Sequence, residues 1–269
     1  MYLCDFHTHT LVSHDSESPL PVMIAAAQKA GVQELCVTDH CDLLDGDGVP
    51  TCHFPWQQAK EQHHTYGLHA PLPVRLGLEL GSIPYNPQGT REILAQAGDE
   101  LDFVLGSLHN WIGAQGNRDF YFTRFGGNPT LCREAMENAL THTYTMVTQC
   151  GDCYDALAHI IYPLRYVQRD GESLTLEPFQ EQVMEIFRQV AASGHALEVN
   201  TCRGRSLDEW LPILRWFKAC GGEYVTIGSD AHVPEHMALG LTQALELLEI
   251  AGFSYVTTYQ GRRPVPHKI

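Results

Sequence analysis

Residues 2–10 read YLCDFHTHT, a short apolar run that leads directly into two histidines. Six further short runs are rich in apolar or β-branched residues, at 34–39, 74–80, 102–108, 155–159, 196–200 and 224–230. Continuous apolar character over so few residues is typical of strands that are buried on both faces of a parallel sheet. The sequence therefore predicts seven parallel strands.

Longer segments with helical spacing separate most of these runs, at 19–30, 57–68, 90–98, 130–149, 177–193, 207–220 and 235–251. Ser206 and Glu209 form the pattern of a capping box at the start of the segment 207–220. The alternation of strand and helix predicts right-handed βαβ units, and a chain of 269 residues suits one α/β barrel. We expect a single barrel domain over residues 1–269, with a long irregular segment at 110–129.

Composition limits the kinds of partner and compartment. The chain has 17 Lys and Arg against 32 Asp and Glu, a net charge of −15 that repels a nucleic-acid backbone. Neither a signal-peptide pattern nor a long apolar stretch is present, so we expect a cytoplasmic protein without a membrane partner. The nine cysteines are dispersed, which favours reduced thiols, and the CxxC of Cys150 and Cys153 does not follow a strand as a redox motif does.

Side chains that bind metals stand at or just after almost every predicted strand. They are His7, His9, His40, Glu79, His109, His159, Asp230 and His232. In parallel α/β barrels the active site lies at the carboxyl ends of the strands, so residues that are distant in sequence converge there. We therefore expect these side chains to form one site.

The spacing and chemistry of these residues favour an open metal site. His7 and His9 are two positions apart on a strand and point to the same face. Imidazoles combined with carboxylates suit Zn²⁺, Mn²⁺ or Fe²⁺, and a carboxylate such as Glu79 can bridge two ions. No cysteine lies at these strand ends, which argues against a closed structural zinc site. Either His14 or Asp15 could add a third ligand after the first strand, and the spacing does not choose between them.

The ordered motifs DFHTHT, TDH, GLELG, GSLH, ALAH and GSDAH, which run from residue 5 to 232, resemble the polymerase-and-histidinol-phosphatase (PHP) family. Within that family the resemblance is to the stand-alone histidinol-phosphate phosphatases. It implies a distorted (β/α)7 TIM-like barrel that holds three divalent metal ions (Zn, Mn or Fe). The implied ligands are His7, His9, Glu79 and Asp230 for the first ion, Glu79, His109 and His159 for the second, and Asp15, His40 and His232 for the third.

The resemblance also implies an activity, the hydrolysis of L-histidinol phosphate in histidine biosynthesis by a metal-activated hydroxide. Asp230 and His232 are the candidate catalytic residues for protonating the leaving group, with a metal-bound water as the alternative, and the sequence does not choose among the three. A phosphate dianion favours a planar guanidinium, which Arg165 and either Arg203 or Arg205 can supply from beyond the strand ends. The substrate is thus expected to be a small phosphate ester, and the sequence predicts no oligomeric state.

Other residues have expected supporting roles. A ligating histidine normally donates its second ring nitrogen to an acceptor, and Asp5, Asp39 and Glu198 are the candidates. The irregular segment offers Trp111, Asn117, Asp119 and Tyr121 for stacking on, or pairing with, the nitrogen groups of the substrate.

Three alternatives remain open at this point. The same ligands would serve a phosphoesterase of the PHP fold acting on a nucleotide, a phosphotyrosine or a sugar phosphate. Amidohydrolases also begin with an HxH strand, but they commonly bridge their metals with a carbamylated lysine, where this chain has Glu79. A metal-bound interaction domain without catalysis is the third alternative, although each expected ligand position holds a competent residue.

Overall fold

The computed structural model describes residues 1–205 and 207–269 as a ring of parallel strands with helices outside it. The strands are β1 (Cys4–Asp5), β2 (Glu34–Val37), β3 (His40–Asp42), β4 (Val74–Gly81), β5 (Phe103–Ser107), β6 (Ala156–Leu157), β7 (Ala196–Asn200) and β8 (Val225–Gly228). They follow the order β1-β2-β4-β5-β6-β7-β8, and β3 also pairs with β4. All these pairings are parallel.

The two short strands β2 and β3 occupy a single position in the ring. Both pair with β4 in one continuous register, since Leu35 lies opposite Val74 and His40 lies opposite Glu79. Within the described residues the ring therefore has seven strand positions, and each coincides with one of the seven predicted runs. That part of the prediction is confirmed.

Backbone hydrogen bonds between the last and first strand positions close the ring. Phe6 N donates to Ile227 O at 3.0 Å, Asp230 N to His7 O at 2.9 Å, and His9 N to Ala231 O at 2.9 Å. This closure brings the residues after β1 beside the residues after β8. The expected TIM-like barrel is confirmed.

The helices cover the outside of the ring with apolar faces. They are α1 (Leu20–Ala30), α2 (Trp56–Gln62), α3 (Pro87–Ala97), α4 (Pro129–Gln149), α5 (Tyr162–Arg169), α6 (Gln180–Ala192), α7 (Trp210–Ala219) and α8 (Leu241–Ala251). Helix α6, for example, buries Val183, Ile186, Phe187 and Val190 on one face, the spacing of an amphipathic helix. None of the helices in the described part of the chain has the length and apolar character that crossing a membrane would require.

Helix boundaries show where the sequence-based prediction was wrong. Helix α5 was not predicted, although Pro163 in its first turn is a start signal. Helix α7 begins at Trp210, so Glu209 precedes the helix and makes no capping hydrogen bond; Ser206 lies outside the described residues. Helix α8 begins after Gly240, whose φ of 81° breaks the predicted segment 235–251.

The irregular segment 110–129 has a small core of its own. Trp111, Phe120 and Phe125 are buried against α4 and α5, where they pack with Cys132, Ala135, Ala139 and Val167. Short 3₁₀ turns at Gln115–Asn117 and Phe120–Phe122 divide the segment. The structure agrees with the expectation that this segment is irregular. Its own apolar contacts with α4 and α5 hold it in place.

The CxxC cysteines lie in the interior as free thiols. Cys150 and Cys153 are both buried, and burial raises the pKa of Cys153 to about 12. A thiol with so high a pKa is a poor nucleophile at neutral pH.

The chain ends in an antiparallel hairpin that the sequence reading missed. Its strands are β9 (Tyr255–Gln260) and β10 (Arg263–Lys268). At the turn, Gly261 N donates to Asp102 Oδ1 at 2.8 Å, and Arg262 Nε donates to both oxygens of Asp155 at 3.1 Å. Asp102 and Asp155 immediately precede β5 and β6, so the hairpin lies at the amino ends of the strands and leaves the carboxyl ends open.

Replacing Tyr259 by alanine should destabilise the protein by about 3 kcal/mol, because removing the buried ring would leave a cavity between the hairpin and the barrel. The buried Tyr259 ring packs 4.9 Å from that of Phe103. Unfolding in urea, followed by circular dichroism, measures the change in free energy. The matched control is Tyr255→Ala, in the same hairpin but 49% exposed, for which we expect a much smaller loss. Equal losses in the two variants would contradict this account of the hairpin.

Candidate metal centre

The structure brings all nine predicted metal-binding side chains together at the carboxyl ends of the strands. They are His7, His9, Asp15, His40, Glu79, His109, His159, Asp230 and His232. Seven of them are buried, while His40 is half-buried and Asp15 is exposed at the rim. These charged and polar groups thus occupy one end of the barrel.

The Glu79 carboxylate lies at the centre of the cluster. Its Oε1 is 2.7 Å from His159 Nε2 and 3.1 Å from His109 Nε2. Its Oε2 is 3.0 Å from His7 Nε2 and from His40 Nδ1. Each oxygen of one carboxylate therefore faces imidazoles from different strands, which is the arrangement that a bridging ligand requires.

The cluster divides into overlapping groups whose nitrogen and oxygen atoms lie within 4.8 Å of one another. They are His7 with His9 and Asp230, His7 with Glu79 and His159, His9 with His40 and His232, and His40 with Asp42 and His109. Among the described residues, the buried atom His9 Nε2 has no hydrogen-bond partner, and His40 Nδ1, although 3.0 Å from Glu79 Oε2, is not aligned for a hydrogen bond. Such atoms carry a desolvation cost unless a ligand contacts them. The residues therefore fit a metal-binding site.

Asp15, not His14, lies against the histidines of this cluster. Asp15 Oδ2 is 3.0 Å from His232 Nε2 and 3.7 Å from His40 Nε2. The His14 side chain is exposed, with its ring 5.4 Å from that of His40. Of the two alternatives that spacing left open, the geometry favours Asp15.

Burial and the charges of neighbouring side chains strongly shift the pKa values of the residues in the cluster. Burial alone would lower the pKa of His7, but Glu79, Glu198 and Asp230 raise it well above its ordinary value. Burial would raise the pKa of Glu79, but the surrounding imidazoles, including His7, lower it well below its ordinary value. The negative charge of these carboxylates therefore favours a cation at His7, either a proton or a metal ion, and competition between the two makes metal binding pH-dependent.

Acceptors hold two of the histidines by their second ring nitrogen. His7 Nδ1 lies 2.6 Å from Glu198 Oε1, as predicted. Asp39 acts through Ser13, whose hydroxyl lies 3.0 Å from His9 Nδ1 and donates to Asp39 at 2.8 Å. The third expectation was wrong: Asp5 accepts hydrogen bonds from Ser229 and Ala238, and among the described residues it accepts none from a histidine ring.

Asp42 is a member of the site that the sequence reading missed. Its Oδ1 lies 2.7 Å from His109 Nδ1, so it can orient the ring whose Nε2 faces Glu79. The available signal was the spacing: Asp42 is two positions after His40 on β3 and shares its face.

The two predicted phosphate-binding arginines both lie beside Asp230. Arg165 donates to Asp230 Oδ2 at 3.0 Å and to Asn200 Oδ1 at 2.6 Å. Arg203 donates to the backbone oxygen of Asp230 at 3.2 Å. Arg205 is exposed and donates back to Cys202 O, so the geometry favours Arg203 over Arg205.

Two of the four residues of segment 110–129 that were expected to contact the substrate instead make contacts within the segment. Trp111 is buried and donates to Thr123, while the Asn117 side chain accepts from Gly113 N. Asp119 accepts from the hydroxyl of Tyr162, which lies against the histidine cluster, and burial raises the pKa of Asp119 to about 6. The expectation for Trp111 and Asn117 is therefore wrong.

Comparison with known proteins gives consistent results. The PHP domain model matches residues 5–202. A histidinol-phosphatase of Lactococcus lactis subsp. lactis is 26% identical over 96% of this chain and 95% of its own. A probable phosphatase of Photobacterium profundum is 32% identical over 86% of this chain and 78% of its own.

One solved structure extends the similarity over nearly the whole fold. It is the histidinol phosphate phosphatase of Lactococcus lactis subsp. lactis, complexed with zinc, L-histidinol and phosphate. The two chains are 25% identical, with a TM-score of 0.81, over 98% of this chain and 99% of the other.

We expect Asp42→Asn to weaken metal binding about tenfold to a hundredfold, because the acceptor that orients His109 would lose its charge. Competition with a chelator, followed by elemental analysis of the retained metal, measures the change. Asp47→Asn is the matched control, since the Asp47 side chain is 80% exposed and pairs only with Arg118 among the described residues. Equal metal retention in both variants would refute the role of Asp42.

Proposed function

The chain belongs to the PHP domain family, and on that premise we propose that it hydrolyses L-histidinol phosphate to L-histidinol and phosphate. The observation that carries the proposal is the near-complete match to a relative solved with zinc, L-histidinol and phosphate, together with the histidine and carboxylate cluster. The substrate is then a small phosphomonoester. We also propose that residues 1–269 act as a single domain.

We propose three divalent metal ions, Zn, Mn or Fe, at this cluster. The ligands would be His7, His9, Glu79 and Asp230; Glu79, His109 and His159; and Asp15, His40 and His232. When bound, such ions stabilise negative charge on phosphate oxygens and lower the pKa of water. The central position of Glu79, with imidazoles at both oxygens, supports its assignment as a shared ligand.

The chain's own residues would bind the phosphate and move the proton. Arg165 and Arg203 bring guanidinium groups to the side of the cluster where Asp230 lies. Burial would raise the pKa of Asp230, but His7, His9 and Arg165 lower it well below its ordinary value. So low a pKa keeps Asp230 ionised, and we propose that its carboxylate orients the attacking water by accepting a hydrogen bond. His232, whose Nδ1 lies 3.6 Å from Asp230 Oδ1, would then protonate the leaving alcohol.

A second candidate is a phosphatase of the same mechanism that acts on another phosphomonoester, such as a nucleotide, phosphotyrosine or sugar phosphate. The similarity to a relative described only as a probable phosphatase favours keeping it. The cluster would be the same in both cases, because the substrates differ only in their alcohol portion.

The first test is phosphate release from L-histidinol phosphate and from a panel of other phosphomonoesters. Metal-stripped protein should be inactive and should regain activity when Mn²⁺ or Zn²⁺ is added. His9→Ala should lower kcat/KM by at least about a thousandfold, since it removes a group worth several kcal/mol in the transition state.

The outcomes separate the candidates. A clear preference for L-histidinol phosphate supports the first. A preference for another ester would support the proposed metal cluster but would change the proposed substrate to that ester. Absence of all cleavage in protein that retains its metals would overturn both candidates.

Arg203→Ala should lower kcat/KM for L-histidinol phosphate about tenfold to a hundredfold, because a charge-assisted hydrogen bond to phosphate is lost. Arg205→Ala is the control: this side chain is nearby in sequence and exposed, and it donates a hydrogen bond to Cys202 O. Steady-state kinetics and inhibition by inorganic phosphate measure the change. The assignment of Arg203 is wrong if Arg205→Ala has the larger effect.

A further inference from the structure

One carboxylate beside the metal cluster, that of Asp119, forms no ion pair within the described part of the chain. Asp119 is half-buried, and its Oδ1 accepts from Tyr121 N at 2.7 Å and from the Tyr162 hydroxyl at 3.2 Å. Among the residues that the structure describes, no Lys, Arg or His forms an ion pair with it. An ionised carboxylate in such a position gains free energy from any cation that reaches it.

The backbone holds this carboxylate close to the predicted metal ligands. Asn110 and Asp119 form an antiparallel bridge, and Phe120 N donates to His109 O at 2.9 Å. The Tyr162 ring, which carries the hydroxyl bound to Asp119, lies 4.7 Å from the His109 ring and 5.1 Å from that of His159. One tyrosine therefore connects Asp119 to the rim of the cluster.

The other charges around Asp119 are already paired. Arg165 lies 5.6 Å from the Tyr162 ring, but its guanidinium is bound to Asp230 and Asn200. Arg169 is bound to Asp170 and to two backbone oxygens of segment 110–129. The arrangement of charged side chains around Asp119 thus favours the binding of a positively charged group. The half-buried rings of Tyr162 and Tyr166 add aromatic surface on which a cation is also favoured.

We propose that Asp119 is the residue that selects phosphomonoesters whose alcohol portion carries a positively charged nitrogen, with Tyr162 orienting its carboxylate. The inference rests on the proposed phosphatase function and adds its specificity. With the phosphate held at the histidine cluster, a short alcohol portion extends toward the tyrosine-lined rim. In L-histidinol phosphate the amine stands on the second carbon after the ester oxygen, and the imidazole follows, so both nitrogen groups belong to the portion that would extend toward that rim.

The test compares two esters that differ chiefly by one charged amine, 2-aminoethyl phosphate and ethyl phosphate, alongside L-histidinol phosphate. The metal-loaded native protein should prefer the two nitrogen-bearing esters. In Asp119→Asn, kcat/KM for those two should fall about tenfold to a hundredfold, and for ethyl phosphate less than about threefold. The fall should appear mainly in KM, because the lost contact is to the non-reacting part of the substrate.

Two control variants separate recognition from structure. Tyr162→Phe removes the hydrogen bond but keeps the carboxylate and the ring, so it should reduce the preference for the aminated esters less than Asp119→Asn does. Asp47→Asn removes an exposed charge from the neighbouring loop and should leave every ester unaffected.

The results that would overturn the inference are distinct from those that would overturn the function. If Asp119→Asn lowers kcat/KM equally for all three esters, the carboxylate supports the fold or the metal cluster and selects nothing. If no ester responds to Asp119→Asn, the carboxylate does not contact the substrate. Failure of the native protein to cleave any ester would refute the proposed function itself, and the specificity assignment with it.

Discussion

Burial of the Glu79 carboxylate among imidazoles from other strands is the interaction on which this end of the barrel depends. A carboxylate removed from water is costly unless charges or donors surround it, and here His7, His40, His109 and His159 do so. Each of those histidines contacts Glu79 because the register of its strand places its carboxyl end level with Glu79 along the barrel axis. The register between β3 and β4, which sets His40 beside Glu79, is part of this constraint.

Closure of the ring joins the two ends of the chain into the same site. Hydrogen bonds between β1 and β8 place His7 beside Asp230, and Asp230 adopts a left-handed φ of 61° there. Arg203, which contacts the Asp230 backbone, has the same φ. Such conformations cost about 1–3 kcal/mol each, and they persist because neighbouring hydrogen bonds determine them. Asp5 contributes by accepting two hydrogen bonds from Ser229, which gives this buried acid a role in holding the residues after β8.

The two ends of the barrel carry different kinds of structure. The hairpin β9–β10 covers the amino ends of β5 and β6 with apolar packing and the Arg262–Asp155 pair. At the carboxyl ends, polar side chains lie on the strands, while segment 110–129 and α5 form part of the wall. Apolar packing and an ion pair are thus found where the hairpin covers the amino ends, while the carboxyl ends hold buried charged groups close together.

The sequence by itself determined the features that depend on local periodicity. Short apolar runs marked the seven strand positions and showed that most candidate ligands lie at or just after the strand ends. Alternation along a strand placed His7 and His9 on the same face. Only the tertiary structure shows the contacts themselves: Asp15 lies against His232, Arg203 contacts Asp230, and Asp42 and Glu198 lie at the second nitrogens of His109 and His7. Helix α5 and the terminal hairpin were likewise missed, because their apolar faces are defined by what they pack against. Periodicity fixes the face on which a side chain lies, but its neighbour comes from another strand or loop, and that pairing exists only after the ring has closed.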